Sequence, residues 1–353
     1  MRRILALTTT VAAALSAAVP AAATQSSGAP VEIVQMGDSY SSGNGARTYA
    51  EKTCWRSPDS YGAQVARATG AQYRNVACSG GVTRDILNPR VLSSKKLVKT
   101  YRIPWRQHSD QGAEWLRRAK ADQLCGTPAQ PDWYYRYERS SPSSAGNLYT
   151  ATLTCSLTAR AQIAAVTPST DQVFITIGGN DIDFTEIATQ CLALKASAGC
   201  KRAIDAANAA VPRMRAETER VLAAVHRRSA GNATVYLLGY PYLISPESFG
   251  LPEAAPRYDA GKALNALQVR GDRQQAAAIE GLNASTGTRD FVFVDVKPAW
   301  GGHAHGYDPR TGASNRTSWI TPVLAPGTEY KEWVHPRPAG WAASAVALRG
   351  ALR

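Results

Sequence analysis

The sequence lacks a GxxxxGK(S/T) loop after a strand, the arrangement whose backbone amides cradle phosphates, so nothing points to a nucleotide cofactor. Its six cysteines include no C-x-x-C pair and its five histidines no H-x-x-x-H spacing, the short-range ligand patterns of metal sites. His303 and His305 stand two apart in a glycine-rich loop with no third ligand in view, so they read as solvent-facing loop residues and no metal is expected. The absence of a G-x-S-x-G elbow argues against the larger α/β-hydrolase fold. Lysine and arginine nowhere form a dense run interleaved with aromatics, which disfavours nucleic acid as a partner. There is no internal repeat, and beyond residue 23 no segment is long and apolar enough to cross a membrane.

What is present begins with a leader. Arg2 and Arg3, the small and apolar run Ile4 to Val19, and Ala21-Ala22-Ala23 make the pattern of a secretory signal over residues 1–23. Residues 24–30 then read as a flexible mature N-terminus. An extracellular protein is expected, and six cysteines in such a chain suggest three disulfides, with 15 pairings open to sequence reasoning. The formal charge is +13, or +11 (38 basic against 27 acidic residues) once Arg2 and Arg3 leave with the signal. Such a balance favours anionic surfaces, although solubility alone also accounts for it.

With 44% apolar residues the remaining chain can build a packed core. Its organising stretch is the apolar run Val31 to Met36 followed by Gly37-Asp38-Ser39-Tyr40-Ser41-Ser42-Gly43. A buried strand that ends in a polar turn presents the turn at the carboxyl edge of the sheet, where open α/β folds place their sites. Ser39 is thus the candidate nucleophile, and a serine needs a base and oxyanion donors. Gly178-Gly179-Asn180-Asp181, after the apolar run Val173 to Ile177, offers the Asn180 amide, and Glu332-Trp333-Val334-His335-Pro336 offers His335 as base. Strands are expected at Gln72–Cys78, Asp171–Ile177, Thr234–Leu238 and Phe291–Val296. Helices are expected at 60–68, 159–166, 205–228, 262–282 and 338–352, with a kink or start at Pro212. This alternation predicts a parallel sheet between helices. Residues 83–154 look irregular and are expected to form a lid or substrate wall. Trp105, Trp115 and Trp133 would line a groove or make a small satellite core.

Four blocks in order, Gly37-Asp38-Ser39-Tyr40, Ala77-Cys78-Ser79-Gly80-Gly81, Gly178-Gly179-Asn180-Asp181 and His335-Pro336, resemble those of the SGNH, or GDSL-type, serine hydrolases over residues 31–353. The resemblance implies a three-layer α/β/α sandwich with a flavodoxin-like parallel sheet and a metal-independent esterase or lipase, expected as a monomer. It assigns the nucleophile to Ser39 and the base to His335, with Glu332, three residues earlier, as the orienting acid or a backbone carbonyl in its place. The oxyanion donors would be the backbone N–H groups of Ser39 and Gly80, with Gly81 the neighbouring choice, and the amide of Asn180. Secreted relatives pair cysteines in order, which implies Cys54–Cys78, Cys125–Cys155 and Cys191–Cys200. Expected substrates are lipid or other acyl esters; the alternatives are acetyl esters of wall polysaccharide, or a non-catalytic binding role on the same scaffold.

Overall fold

The computed structural model describes residues 29–104, 108–245, 247–251 and 258–353, so the leader at 1–23 and Trp105 lie outside the described residues. Its strands are β1 (Glu32–Gly37), β2 (Gln72–Asn75), β3 (Arg90–Arg102), β4 (Trp133–Ala145), β5 (Leu148–Ala159), β6 (Gln172–Thr176), β7 (Thr234–Leu238) and β8 (Phe291–Val294). Its helices are α1 (Ser39–Ser42), α2 (Tyr61–Thr69), α3 (Thr83–Leu87), α4 (His108–Ala121), α5 (Phe184–Ile187), α6 (Ser197–Arg228), α7 (Ala260–Thr286) and α8 (Pro338–Ala351).

The apolar run that opens the mature chain becomes β1, buried from Ile33 onward. A strand covered on both faces has no polar side, which is why β1, β6 and β7 read as continuous rather than alternating apolar runs. All neighbours in the five-stranded sheet are parallel, in the order β2-β1-β6-β7-β8. Successive residues serve opposite cores. Ile33, Phe174 and Tyr236 join Tyr61 of α2 and Trp341 of α8, while Val34, Val173 and Val235 join Ile86 of α3, Val221 of α6 and Ile279 of α7. Helices therefore cover both faces, giving the three-layer sandwich with flavodoxin-like strand order. That order reverses between β1 and β6, which places the crevice at their carboxyl ends, beside Ser39 and Asn180.

Three expectations need correction. Residues 83–154 are regular: after α3 they form a second, antiparallel sheet, ordered β3-β5-β4, with α4 against one face. Trp115, Tyr149, Leu153 and the Cys125–Cys155 disulfide make a core of its own under α4, and the indole of Trp115 donates to the Lys99 carbonyl at 3.0 Å. Trp133 is buried against Cys54 and Cys78, so Trp115 and Trp133 are core residues and line no groove. The expected helix at 159–166 is the end of β5 followed by one 3-10 turn at Gln162–Ala165. α6 starts at Ser197, earlier than predicted, and continues through Pro212. The Cys191–Cys200 disulfide anchors its first turn.

Candidate active site

The first loop is fixed by local backbone demands. Gly37 adopts φ +122°, and a Cβ there would run into the Thr176 carbonyl, so β1 can approach β6 closely only with glycine. The Gln162 amide holds this residue at both ends: Oε1 accepts from Gly37 N–H at 2.6 Å and Nε2 donates to Gly37 O at 3.0 Å. Asp38 then caps α1, accepting from the Tyr40 N–H at 2.9 Å, and Gly43 closes that single turn in the left-handed region. Ser39 is held as the first residue of this turn.

His335 reaches it from the other end of the chain, with Nε2 2.7 Å from Ser39 Oγ. Its Nδ1 lies 2.8 Å from the Trp333 carbonyl oxygen. A carbonyl only accepts, so Nδ1 carries the proton and the lone pair of Nε2 is free to accept the Ser39 hydroxyl. Glu332 does not orient the imidazole. The 3-10 turn Tyr330–Glu332 folds its carboxylate back onto the Glu329 N–H at 2.9 Å, and it also accepts from the Tyr49 hydroxyl at 2.6 Å. Tyr49 OH in turn accepts from Gly45 N–H, so Glu332 braces the loop after Ser39 against the histidine loop.

The remaining blocks converge on the same strand ends. The Cys54–Cys78 disulfide, the Ser79 N–H to Cys54 O bond and the Cys78 N–H to Gly37 O bond pin the second loop beside the first. Gly81 N–H is already used on the Cys78 carbonyl at 2.9 Å, whereas the N–H groups of Ser39 and Gly80 have no partner among the described residues. The free donors are therefore at Ser39 and Gly80, not Gly81. The Asn180 amide donates to Gly81 O at 2.8 Å, which fixes the side chain and leaves its second N–H available. Asp181 ties this turn to the second loop by accepting from the Thr83 hydroxyl at 2.6 Å.

Tyr240, which sequence reasoning missed, joins two of these turns. Its hydroxyl donates to Asp38 Oδ2 and accepts from Gly179 N–H at 3.1 Å. The signal that would have found it is its position, two residues past the carboxyl end of β7, on the site's edge of the sheet. Asp38 also accepts from Thr176 Oγ1 at 2.9 Å, and no bond links it to Ser39 or His335. It organises the turn.

Burial sets the charges. It pushes the Asp38 carboxyl up to about 6, against the hydrogen bonds from Tyr240, Thr176 and Tyr40. Removal from water pushes His335 down to about 4, opposed by its bond to the Trp333 carbonyl. A lowered histidine pKa preserves the neutral base to lower pH. The acid limb of kcat/KM, measured from pH 3.5 to 9, is expected near pH ~4 in place of the ~6.5 of an unperturbed imidazole. A limb at 6 would instead report protonation of Asp38.

Beside Ser39 opens one cleft, bounded by Asn180 and Tyr240 and walled by Ile182, Phe184, Ile187, Met214, Leu243, Leu264 and Leu267. It joins the hydrogen-bonded Ser39–His335 pair to a mostly apolar channel. No group of three or more His, Cys, Asp or Glu suited to a metal occurs among the described residues.

Comparison with known proteins gives concordant results. Residues 33–348 match the family model described as GDSL-like Lipase/Acylhydrolase. A lipase of Streptomyces rimosus is 28% identical over 280 residues, 77% of this chain and 72% of that protein. Two solved structures share the fold. The extracellular lipase from Streptomyces rimosus superposes with a TM-score of 0.56 at 23% identity, covering 91% of this chain and 100% of that one. Phospholipase A1 from Streptomyces albidoflavus NA297 superposes with a TM-score of 0.56 at 22% identity, covering 91% and 99%.

Proposed function

As a member of the GDSL-like lipase/acylhydrolase family this chain is a carboxylic ester hydrolase, and we propose that it is secreted and cleaves acyl esters of lipids through Ser39 and His335. The observation that carries the lipid assignment is the cleft. Gln268, Asp272 and Gln275 also line it, but the surface it exposes is mostly apolar, from Ile182, Phe184, Ile187, Met214, Leu264 and Leu267, which suits an acyl chain better than a sugar.

In this reading His335 Nε2 takes the Ser39 proton as Oγ attacks the ester carbonyl carbon. The carbonyl oxygen becomes an oxyanion held by the N–H groups of Ser39 and Gly80 and the Asn180 amide. The imidazolium returns its proton to the leaving alcohol, and an acyl-enzyme remains on Oγ. Water, deprotonated by the same nitrogen, then releases the acid and restores Ser39. Secretion is supported by the leader pattern of residues 1–23 and by the three disulfides.

The test is the initial rate of the mature protein on p-nitrophenyl esters from acetyl to palmitoyl. Turnover is expected to rise from acetyl to a medium or long chain. Turnover confined to acetyl would move the assignment to polysaccharide acetyl esters, and none on any ester would overturn it.

A further inference from the structure

β3 is an edge strand of the second sheet, 13 residues long, with five basic residues and no acidic one. Among the described residues Lys95, Lys96, Lys99 and Arg102 have no carboxylate partner. Lys95 and Lys99 lie instead over the rings of Tyr135 and Tyr101, at 5.8 and 5.3 Å. The opposite edge differs, since on β4 Arg136 is paired with Glu138 at 2.9 Å.

Register sets Lys95 and Lys99 on the face covered by α4, opposite Cys155 and Ala151, and the other two cations beside apolar residues on the far face. Opposite the face covered by α4, Lys96, Val98, Thr100 and Arg102 of β3 stand beside Thr154, Thr152, Thr150 and Leu148 of β5. Val98 is 69% exposed, more than almost any other large apolar side chain, and Leu148 is 43% exposed. Neither is needed by the core under α4, and both cost solvation where they stand.

Lysine on a free edge is an ordinary defence against strand-to-strand aggregation. That defence explains the cations but not Val98 and Leu148 between them, because exposed apolar residues on a flat edge work against it. Cations interspersed with short apolar side chains complement a surface of phosphates backed by hydrocarbon. We propose that the β3 face of the second sheet docks the protein on an anionic phospholipid bilayer. The proposal concerns binding alone and stands or falls independently of the esterase reading.

The experiment is cosedimentation of the mature protein with phosphatidylglycerol vesicles and with phosphatidylcholine vesicles, at low and high salt. Binding is expected to phosphatidylglycerol, weakening as salt rises, and little to phosphatidylcholine. Each cation at such a surface contributes about fivefold, so Lys96→Gln/Arg102→Gln, which alters the two cations on the face of Val98, is expected to lower the partition coefficient on the order of 25-fold. Val98→Ser should weaken binding several-fold at unchanged charge. A control with the same loss of charge elsewhere, at the exposed Arg202 and Lys262, each to Gln, should keep most of the binding. All variants change exposed or half-exposed side chains, and thermal unfolding checks their fold. Equal loss in the control would assign binding to net charge and overturn the proposal. So would unchanged binding in the double variant, or a Val98→Ser protein as tight as wild type, the latter pointing to a soluble polyanion.

Discussion

Alanine at Ser39, at His335 or at both is expected to lower kcat by about 10⁶, with the double variant no slower than the worse single one. In the proposed mechanism the two side chains act as one device, because the hydroxyl would be a nucleophile only while Nε2, 2.7 Å away, can take its proton. Removing either leaves nothing for the other to do, so their effects do not add. Glu332→Gln belongs in the same experiment and is expected to cost about tenfold or less. A carboxylate that orients and stabilises an imidazolium is worth on the order of 10⁴ in a serine triad. Here a neutral carbonyl, that of Trp333, occupies the place at Nδ1, and the Glu332 carboxylate is engaged by Tyr49 OH and Glu329 N–H. A loss near 10⁴ in Glu332→Gln would return the orienting role to the carboxylate. A sum of the single losses in the double variant would deny that Ser39 and His335 work as a pair. Single-turnover kinetics on a soluble ester reads both outcomes.

The same contrast between local and non-local constraints decides what could be read from the sequence. Thr234–Leu238 was legible to the residue, since a strand buried on both faces is a short apolar run bounded by turn residues, here Gly231-Asn232 and Gly239-Tyr240-Pro241. The loops carrying Ser39 and Asn180 follow such runs directly, and their glycines mark where the backbone must turn tightly. β3 to β5 escaped because only one face of that sheet is buried. The other is mostly polar and charged, with Val98 and Leu148 exposed on it, bulges at Val91/Ser93 and Ser140/Ser143 break the period of two, and Pro142 argues against a strand interior. The Gly146-Asn147 turn between β4 and β5 was the available signal. Glu332 misled for a different reason: three residues of separation suit the partner of His335, but the 3-10 turn aims its carboxylate backward. Gln162 and Tyr240 act on Gly37 and Asp38 from 125 and 202 residues away, a contact that only the assembled sheet creates.

Asn180→Ala is expected to lower kcat by about 10²–10³ with KM little changed, the loss of roughly 3–4 kcal/mol of transition-state stabilisation. The argument rests on what its amide can and cannot do. One N–H is spent on Gly81 O at 2.8 Å, so the side chain is preset and needs no reorganisation when charge develops on the substrate oxygen. The other N–H has no competing bond among the described residues, and like the N–H groups of Ser39 and Gly80 it is free for that oxygen. A ground-state carbonyl gains little from such donors, which is why the effect belongs in kcat rather than KM. Asn180→Asp should be slower still, because it places a like charge beside the oxyanion and removes the donor. Separate determination of kcat and KM, with thermal unfolding to show that the bond to Gly81 is not needed for folding, tests the assignment. A loss below tenfold in Asn180→Ala would mean that the two backbone N–H groups suffice and that Asn180 serves to hold the Gly81 loop. A raised KM at constant kcat would instead make it a substrate-binding residue, since only an interaction that strengthens toward the transition state changes the chemical step.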